Sequence, residues 1–270
     1  MDHAAFCTTT AAEVARYADL IDGADLTTAV PTCPGWDLLA LTKHLGVVQR
    51  WATQMMRDGA IERLDFRKVD RNLPEDLSGY ADWMRAGGAA LVAQLDAPAQ
   101  TPVWTWGPEH SVGWWARRMA HETLVHRADA AMALGQTIDI SPSVAVDGID
   151  EFLENLPAAG VSFAPNVTEL AGNGETLHLH ATDGDGDGDG DGDGDGDADG
   201  DGDADGEWTI TLTTDGFTWG HGHSKGDVAA RGRAADLLLL LYGRADAHDE
   251  RFERFGDSAL LDRWLHLSAI

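Results

Sequence analysis

Ser111-Val-Gly-Trp-Trp-Ala-Arg-Arg-Met-Ala-His-Glu-Thr-Leu-Val-His-Arg-Ala-Asp129 spaces its apolar residues three and four positions apart, the period of a helix that buries one face. Glu122 and His126 are four apart, so at about 100° per residue they stand roughly 40° from each other on one side of that helix. His121 and His126 are five apart and diverge by about 140°, so this is not the arrangement in which two histidines of one helix share a zinc ion. Working outward, residues 8–22, 37–58 and 79–95 show the same period as 111–134, and four such segments predict a four-helix bundle. Pro31, Pro34 and Gly35 break the chain before the second helix, and Asp37 is placed to cap it. The link 59–78, with Pro74 and mixed charge, is the long crossover that a bundle tolerates.

After Pro142 the pattern changes. A shorter helical stretch, 144–156, is expected to bridge to a second domain, where 176–182 and 208–214 alternate apolar and polar residues like strands of a half-buried sheet. Residues 232–243, with five consecutive leucines, and 257–267 read as helices covering one face of that sheet. The expected class is therefore α+β: a bundle over 1–140, a bridging helix over 141–156, and a small α/β domain over 157–270.

Between the two expected strands lies 183–206, an almost perfect Asp-Gly alternation with twelve aspartates and no base. It carries nearly half of the formal charge of −27 and leaves −15 on the rest of the 270 residues. An EF-hand loop needs Asp at position 1 and Glu at position 12, which differ in parity. Every Asp of the tract is odd-numbered, and Glu207 would require a loop starting at Gly196, so no EF-hand register exists. The calcium-roll repeat needs an aliphatic residue that the tract lacks. The tract is expected to be a self-repelling, flexible, disordered insertion.

A hydrophobic content of 43% excludes disorder throughout. With 46 acidic and 19 basic residues, the chain does not suit nucleic acid or an anionic membrane surface. The N-terminus lacks the basic and apolar regions of a signal peptide, and the longest aliphatic run, 237–242, is too short to span a bilayer. These features point to the cytoplasm, where Cys7 and Cys33 stay reduced.

Glu122 and His126 can grip one ion if another helix supplies a third ligand. His44, after the apolar run 38–41 and before Leu45 and Val48, is the best candidate and is expected to be a buried, bundle-facing imidazole. Two histidines and a carboxylate leave a position open, as catalytic zinc sites do. The spacing alone leaves two plainer alternatives open, a solvated Glu–His helix pair and a histidine satisfied within the core.

Val30-Pro-Thr-Cys-Pro-Gly-Trp36, followed by Leu41-Thr-Lys-His-Leu-Gly46, 115–129, Ala234-Ala-Asp-Leu-Leu-Leu-Leu-Leu-Tyr-Gly-Arg244 and 256–264, resemble the mycothiol-dependent maleylpyruvate isomerase family over most of the chain outside the Asp-Gly tract. The resemblance implies a DinB-like four-helix bundle holding a divalent metal, usually zinc, a smaller sterol-carrier-like α/β domain, and mycothiol as cosubstrate. Matched residue by residue, it puts the metal ligands at His44, Glu122 and His126. It also singles out Arg244, whose guanidinium can grip a carboxylate-bearing electrophile bidentately; the plain alternative is a cation at a helix C-terminus.

The implied chemistry is a metal-activated thiolate, used for cis–trans isomerisation or for thiol transfer to a small electrophile. Two other classes stay open: a metal-binding or regulatory module without turnover, and a lipid or small-molecule carrier. Cys33 reads as a small buried apolar thiol, with a fourth ligand or a redox thiol as alternatives, and Asp129 as either a carboxylate orienting a ligand or a surface cap. Arg231 and Arg233 are weaker candidates than Arg244 for an anionic substrate or simply residues of a Gly-rich loop, and Trp36, Trp51, Trp104, Trp106, Trp114 and Trp115 could line a pocket but read mostly as packing.

Overall fold

Three side chains start three of the four helices that make up residues Met1–Asp139, the first of two units in the computed structural model, which describes residues 1–183 and 206–270. Asp2 accepts from the Ala5 amide ahead of α1 (His3–Ile21), Asp37 from Ala40 ahead of α2 (Leu38–Arg57), and Ser111 from Trp114 ahead of α4 (Val112–Ala133). Each supplies an oxygen to an amide that the helix leaves without a partner. The third helix, α3 (Tyr80–Leu95), follows a link containing short 3-10 turns at Phe66–Lys68 and Leu77–Gly79. The four-helix bundle expected from the period is present, and α1 begins before residue 8 because Asp2 caps it there.

Around the bundle α1 packs on α3 and α4, and α2 packs on the same two helices. One part of the core gathers Trp51, Trp114 and Trp115, whose rings meet edge to face, so these tryptophans pack as expected. Another gathers Tyr17, Leu38, Leu41, Leu45 and Trp83. Gly46 sits where α2 meets α3: a Cβ there would stand 2.1 Å from the Trp83 ring. That glycine fixes how closely the helix carrying His44 approaches its neighbour.

The second unit, Ile140–Ile270, opens with α5 (Pro142–Ser162), within which the stretch expected to bridge the domains falls; α5 packs against α6 (Ala234–Leu241). Five strands form a sheet: β1 (Thr176–Ala181), β2 (Glu207–Thr213), β3 (Gly216–His221), β4 (Val228–Gly232) and β5 (Glu253–Gly256), in the order β3-β2-β1-β4-β5. The pair β1 and β2 is antiparallel, whereas β1 and β4 are parallel. Leu177, Leu179, Trp208, Ile210, Val228 and Ala230 are buried on one face, where α6 contacts β1 and β4, and α7 (Ser258–Leu267) also contacts β4.

The alternation over 176–182 and 208–214 locates β1 and β2, while β3, β4 and β5 are additions to the expectation. Arg231 lies in β4, not in a loop: Ala229 and Arg231 alternate with buried Val228 and Ala230, a two-residue period too short to stand out beside glycine. Asp183 is also structured, accepting from the Ala234 amide at 2.7 Å and from Arg233 at 3.2 Å. At the other end of the tract Gly206 accepts from the Ala181 amide; residues 184–205 between them lie outside the described residues. Among the described residues no helix is long and apolar enough to cross a membrane.

Candidate metal centre

Two adjacent helices, α2 and α4, carry the three expected ligands to one place. His44 Nε2 and His126 Nε2 each stand 3.4 Å from the same oxygen, Glu122 Oε1. Tetrahedral donors about 2.1 Å from an ion are separated by about 3.4 Å, so these contacts already have the length of a coordination edge. The imidazoles of His44 and His126 meet edge to face with centroids 5.0 Å apart. His121 is held elsewhere, its ring edge-on to Phe6, in agreement with the angular argument that set it aside.

Glu122 is held from behind. Its second oxygen, Oε2, accepts from Arg118 one turn earlier on α4 at 3.1 Å. Burial alone raises the Glu122 carboxyl, but hydrogen bonds from His126 and His44 and the Arg118 charge overcome it and hold the group well below the usual carboxylate range. For His126, burial pulls downward, and Asp129 and Glu122 on either side outweigh it and lift the imidazole to about 9.

Asp129, fully buried, accepts from His126 Nδ1 at 2.9 Å. Of the two readings of Asp129 left open by the sequence, burial removes the surface cap. The bond commits the Nδ1 hydrogen to the carboxylate, so that when the imidazole is neutral its lone pair is on Nε2, the nitrogen that faces Glu122. The turn 30–36 completes this support. Val30 donates to the Trp36 carbonyl, Cys33 to Val30 and Trp36 to Cys33, with Gly35 at φ 84° closing the loop. From that turn Thr32 Oγ1 donates to Asp129 Oδ1 at 2.6 Å, the Cys33 thiol points at Asp129 Oδ2 at 3.5 Å, and the Trp36 ring lies 5.0 Å from that of His44.

Two expectations need correction. His44 is half-exposed, with 36% of its side chain accessible, because it sits at the rim beside Trp36 and not within the bundle core. Cys33 packs on the apolar core as expected but is only half-buried, and its thiol faces the Asp129 carboxylate. Thr32 and Arg118 were not singled out from the sequence, and of the two only Arg118 left a signal, its i, i+4 spacing to Glu122; Trp36 was weighed there as a pocket-lining or packing residue, and its ring lies against that of His44.

In the second unit Arg244 follows α6, where its backbone amide donates to Leu239 and its guanidinium to the carbonyls of Tyr242 and Ile270. Arg231 pairs with Glu253 and Arg233 with Asp183.

Comparison with known proteins follows the same division of the chain. A sequence model described as the mycothiol maleylpyruvate isomerase N-terminal domain matches residues 7–131, and one described as the MDMPI C-terminal domain matches residues 143–263. Among solved structures, the mycothiol-dependent maleylpyruvate isomerase superposes with a TM-score of 0.60 at 12% identity, covering 94% of this chain and 93% of that one. A histidine-to-alanine mutant of it gives 0.57 at 12% identity, over 91% and 90%. At that identity the likeness is one of fold. No curated protein matches the chain by sequence.

Proposed function

The chain belongs to the mycothiol maleylpyruvate isomerase family, and from that premise we propose that it is a cytoplasmic, mycothiol-dependent isomerase acting on a small, carboxylate-bearing cis-alkene. The observation that carries the reading is the pair of 3.4 Å contacts that His44 and His126 make with one oxygen of Glu122. His44, Glu122 and His126 would hold a divalent ion, with zinc favoured by two imidazoles and one carboxylate. When bound, such an ion with an open position supplies a thiolate at neutral pH by lowering the pKa of a thiol.

The protein's own groups do the rest. Asp129 would keep the Nδ1 hydrogen of His126 so that Nε2 can offer its lone pair to an ion, and Arg118 fixes Glu122 Oε2 and leaves Oε1 beside the two histidines. Trp36, beside His44, walls the half-exposed rim. In the proposed reaction the mycothiol thiolate adds to one carbon of the conjugated cis double bond, and the electron pair moves onto the conjugated carbonyl. Rotation about the resulting single bond and expulsion of the thiolate then give the trans product, with the thiol regenerated. Arg244 is proposed to hold the substrate carboxylate.

The test is to incubate the zinc-loaded protein with mycothiol and maleylpyruvate, following the alkene by proton NMR and the thiol by mass spectrometry. Conversion to the trans isomer with no net loss of thiol is expected. Stoichiometric consumption of mycothiol into a stable adduct would replace isomerisation by thiol transfer. A rate unchanged when mycothiol is omitted would reject the mechanism.

A further inference from the structure

We propose that the second unit carries a metal site of its own, in which His178, His180, Glu207 and His223 take a divalent transition-metal cation of the zinc class. Side chains along a strand alternate between faces. Leu177, Leu179 and Ala181 of β1 point to the helix-covered face, and His178 and His180 to the other. The register with β2 puts Glu207 directly opposite His180. The fourth group comes from the link between β3 and β4. Since β2 and β1 lie between those strands, residues 222–227 must pass across both.

That link is held close. Thr209 and Ser224 share a hydrogen bond of 2.6 Å between their hydroxyls, and a Cβ on Gly226 would stand 3.1 Å from the His178 amide nitrogen. The passage sets the His223 ring 5.4 Å from that of His178.

Glu207 is the centre of the group. Its Oε1 is 3.0 Å from His180 Nδ1, and its Oε2 is 2.9 Å from His223 Nδ1 and 3.6 Å from His178 Nε2. One donor atom from each of the four residues can be chosen so that all lie within 4.8 Å of one another. A carboxylate holding two imidazoles would be an ordinary polar cluster, but it leaves His178 unexplained. That residue is only 5% exposed, yet among the described residues neither ring nitrogen makes a hydrogen bond of ordinary length, its polar contacts being the long one to Glu207 and a weak one to the Trp208 backbone. A buried polar group without a partner is destabilising, and a valine would fill a strand position at no such cost. A cation accepting the Nε2 lone pair accounts for that nitrogen, the one that faces Glu207. Three imidazoles and one carboxylate suit zinc, nickel or cobalt over calcium and magnesium, which take oxygen. His223, with 78% of its side chain exposed, leaves the site open to exchange with solvent.

The experiment uses the full-length chain carrying His126→Ala, so that its result does not depend on the bundle site. Zinc affinity is read by competition with a chromogenic chelator, and coordination by the visible absorption of cobalt. One tight equivalent with tetrahedral cobalt bands is expected. His223→Ala and His178→Ala should each weaken zinc binding by about 10–100-fold or more and erase the bands; His223 is exposed, so its loss does not threaten folding. Replacing residues 184–205 by a short Gly-Ser loop should leave both signals in place. Absence of a tight equivalent, bands that survive His223→Ala, or signals that vanish with the Asp-Gly tract would each overturn the assignment.

Discussion

Asp129 and His126 are joined by a 2.9 Å hydrogen bond at the imidazole nitrogen that faces away from Glu122, and the carboxylate is itself anchored by Thr32. The support therefore spans two segments, α4 and the turn 30–36, and a change in the turn reaches the proposed metal centre without touching a proposed ligand. Asp129→Asn places an amide where an anion stood and weakens the preference for a hydrogen on Nδ1. Zinc affinity should fall by about 10–100-fold with the bundle still folded, measured by chelator competition alongside circular dichroism. An affinity equal to wild type would mean that the carboxylate does not orient the ligand.

The ligand set is testable by deletion. In a protein whose second-unit histidines are intact, His44→Ala, Glu122→Ala and His126→Ala should each remove one tight equivalent of zinc by elemental analysis, while His121→Ala removes none. Stoichiometry unchanged across the first three variants would discard the proposed centre.

Metal loading should depend on pH in a defined direction. Without metal, His126 is lifted from its ordinary value of 6.5 to about 9, first against burial and then by Asp129 and Glu122. It is therefore protonated at neutral pH, whereas a bound ion requires it neutral. Loading near pH 7.5 should release about one proton, and apparent affinity should rise about tenfold per pH unit until about 9, then level. Titration calorimetry in two buffers of different ionisation enthalpy reads the proton directly, and identical heats would contradict the raised value. The sign for the metal-free fold is opposite: a raised histidine stabilises fully below 6.5 and loses that contribution as pH climbs through about 9.

For Arg244, its carbonyl contacts and its proposed carboxylate role predict different losses. If it holds the substrate, Arg244→Ala lowers kcat/KM for a carboxylate-bearing alkene by roughly 10- to 1000-fold and leaves zinc content unchanged. A fall in melting temperature with wild-type kcat/KM would confine it to capping α6.

Gly46→Ala tests the helix contact beneath His44. With a Cβ 2.1 Å from Trp83, α2 and α3 must move apart, and a loss of about 1–3 kcal/mol is expected in denaturant unfolding. A neutral result would show that the indole yields without strain.

The bundle was legible because each of its helices carries its own period and three carry a side-chain cap, both local properties of the chain. Glu122 and His126 were legible for the same reason, being one turn apart. The support from Thr32, Cys33 and Trp36 was not, because nothing local tells the turn 30–36 that it will close on α4. In the second unit β1 and β2 announced themselves by alternation, whereas the glycines of Gly216-Phe-Thr-Trp-Gly-His221 obscured β3. The cluster around Glu207 needs the register of β1 on β2 and the path of residues 222–227, and neither is written in any single segment.

The contact of His44 with Glu122 has a kinetic meaning as well as a chemical one. The two residues are distant in sequence and sit on helices whose packing forms only when the bundle closes. An ion shared between them is a clasp across a long chain loop, akin to a reversible cross-link, and its grip is lost once α2 and α4 separate. If that separation precedes the transition state for unfolding, the clasp slows unfolding and leaves folding nearly untouched. The proposed metal centre would then set how long the protein survives between openings, and resistance to proteolysis would follow metal supply.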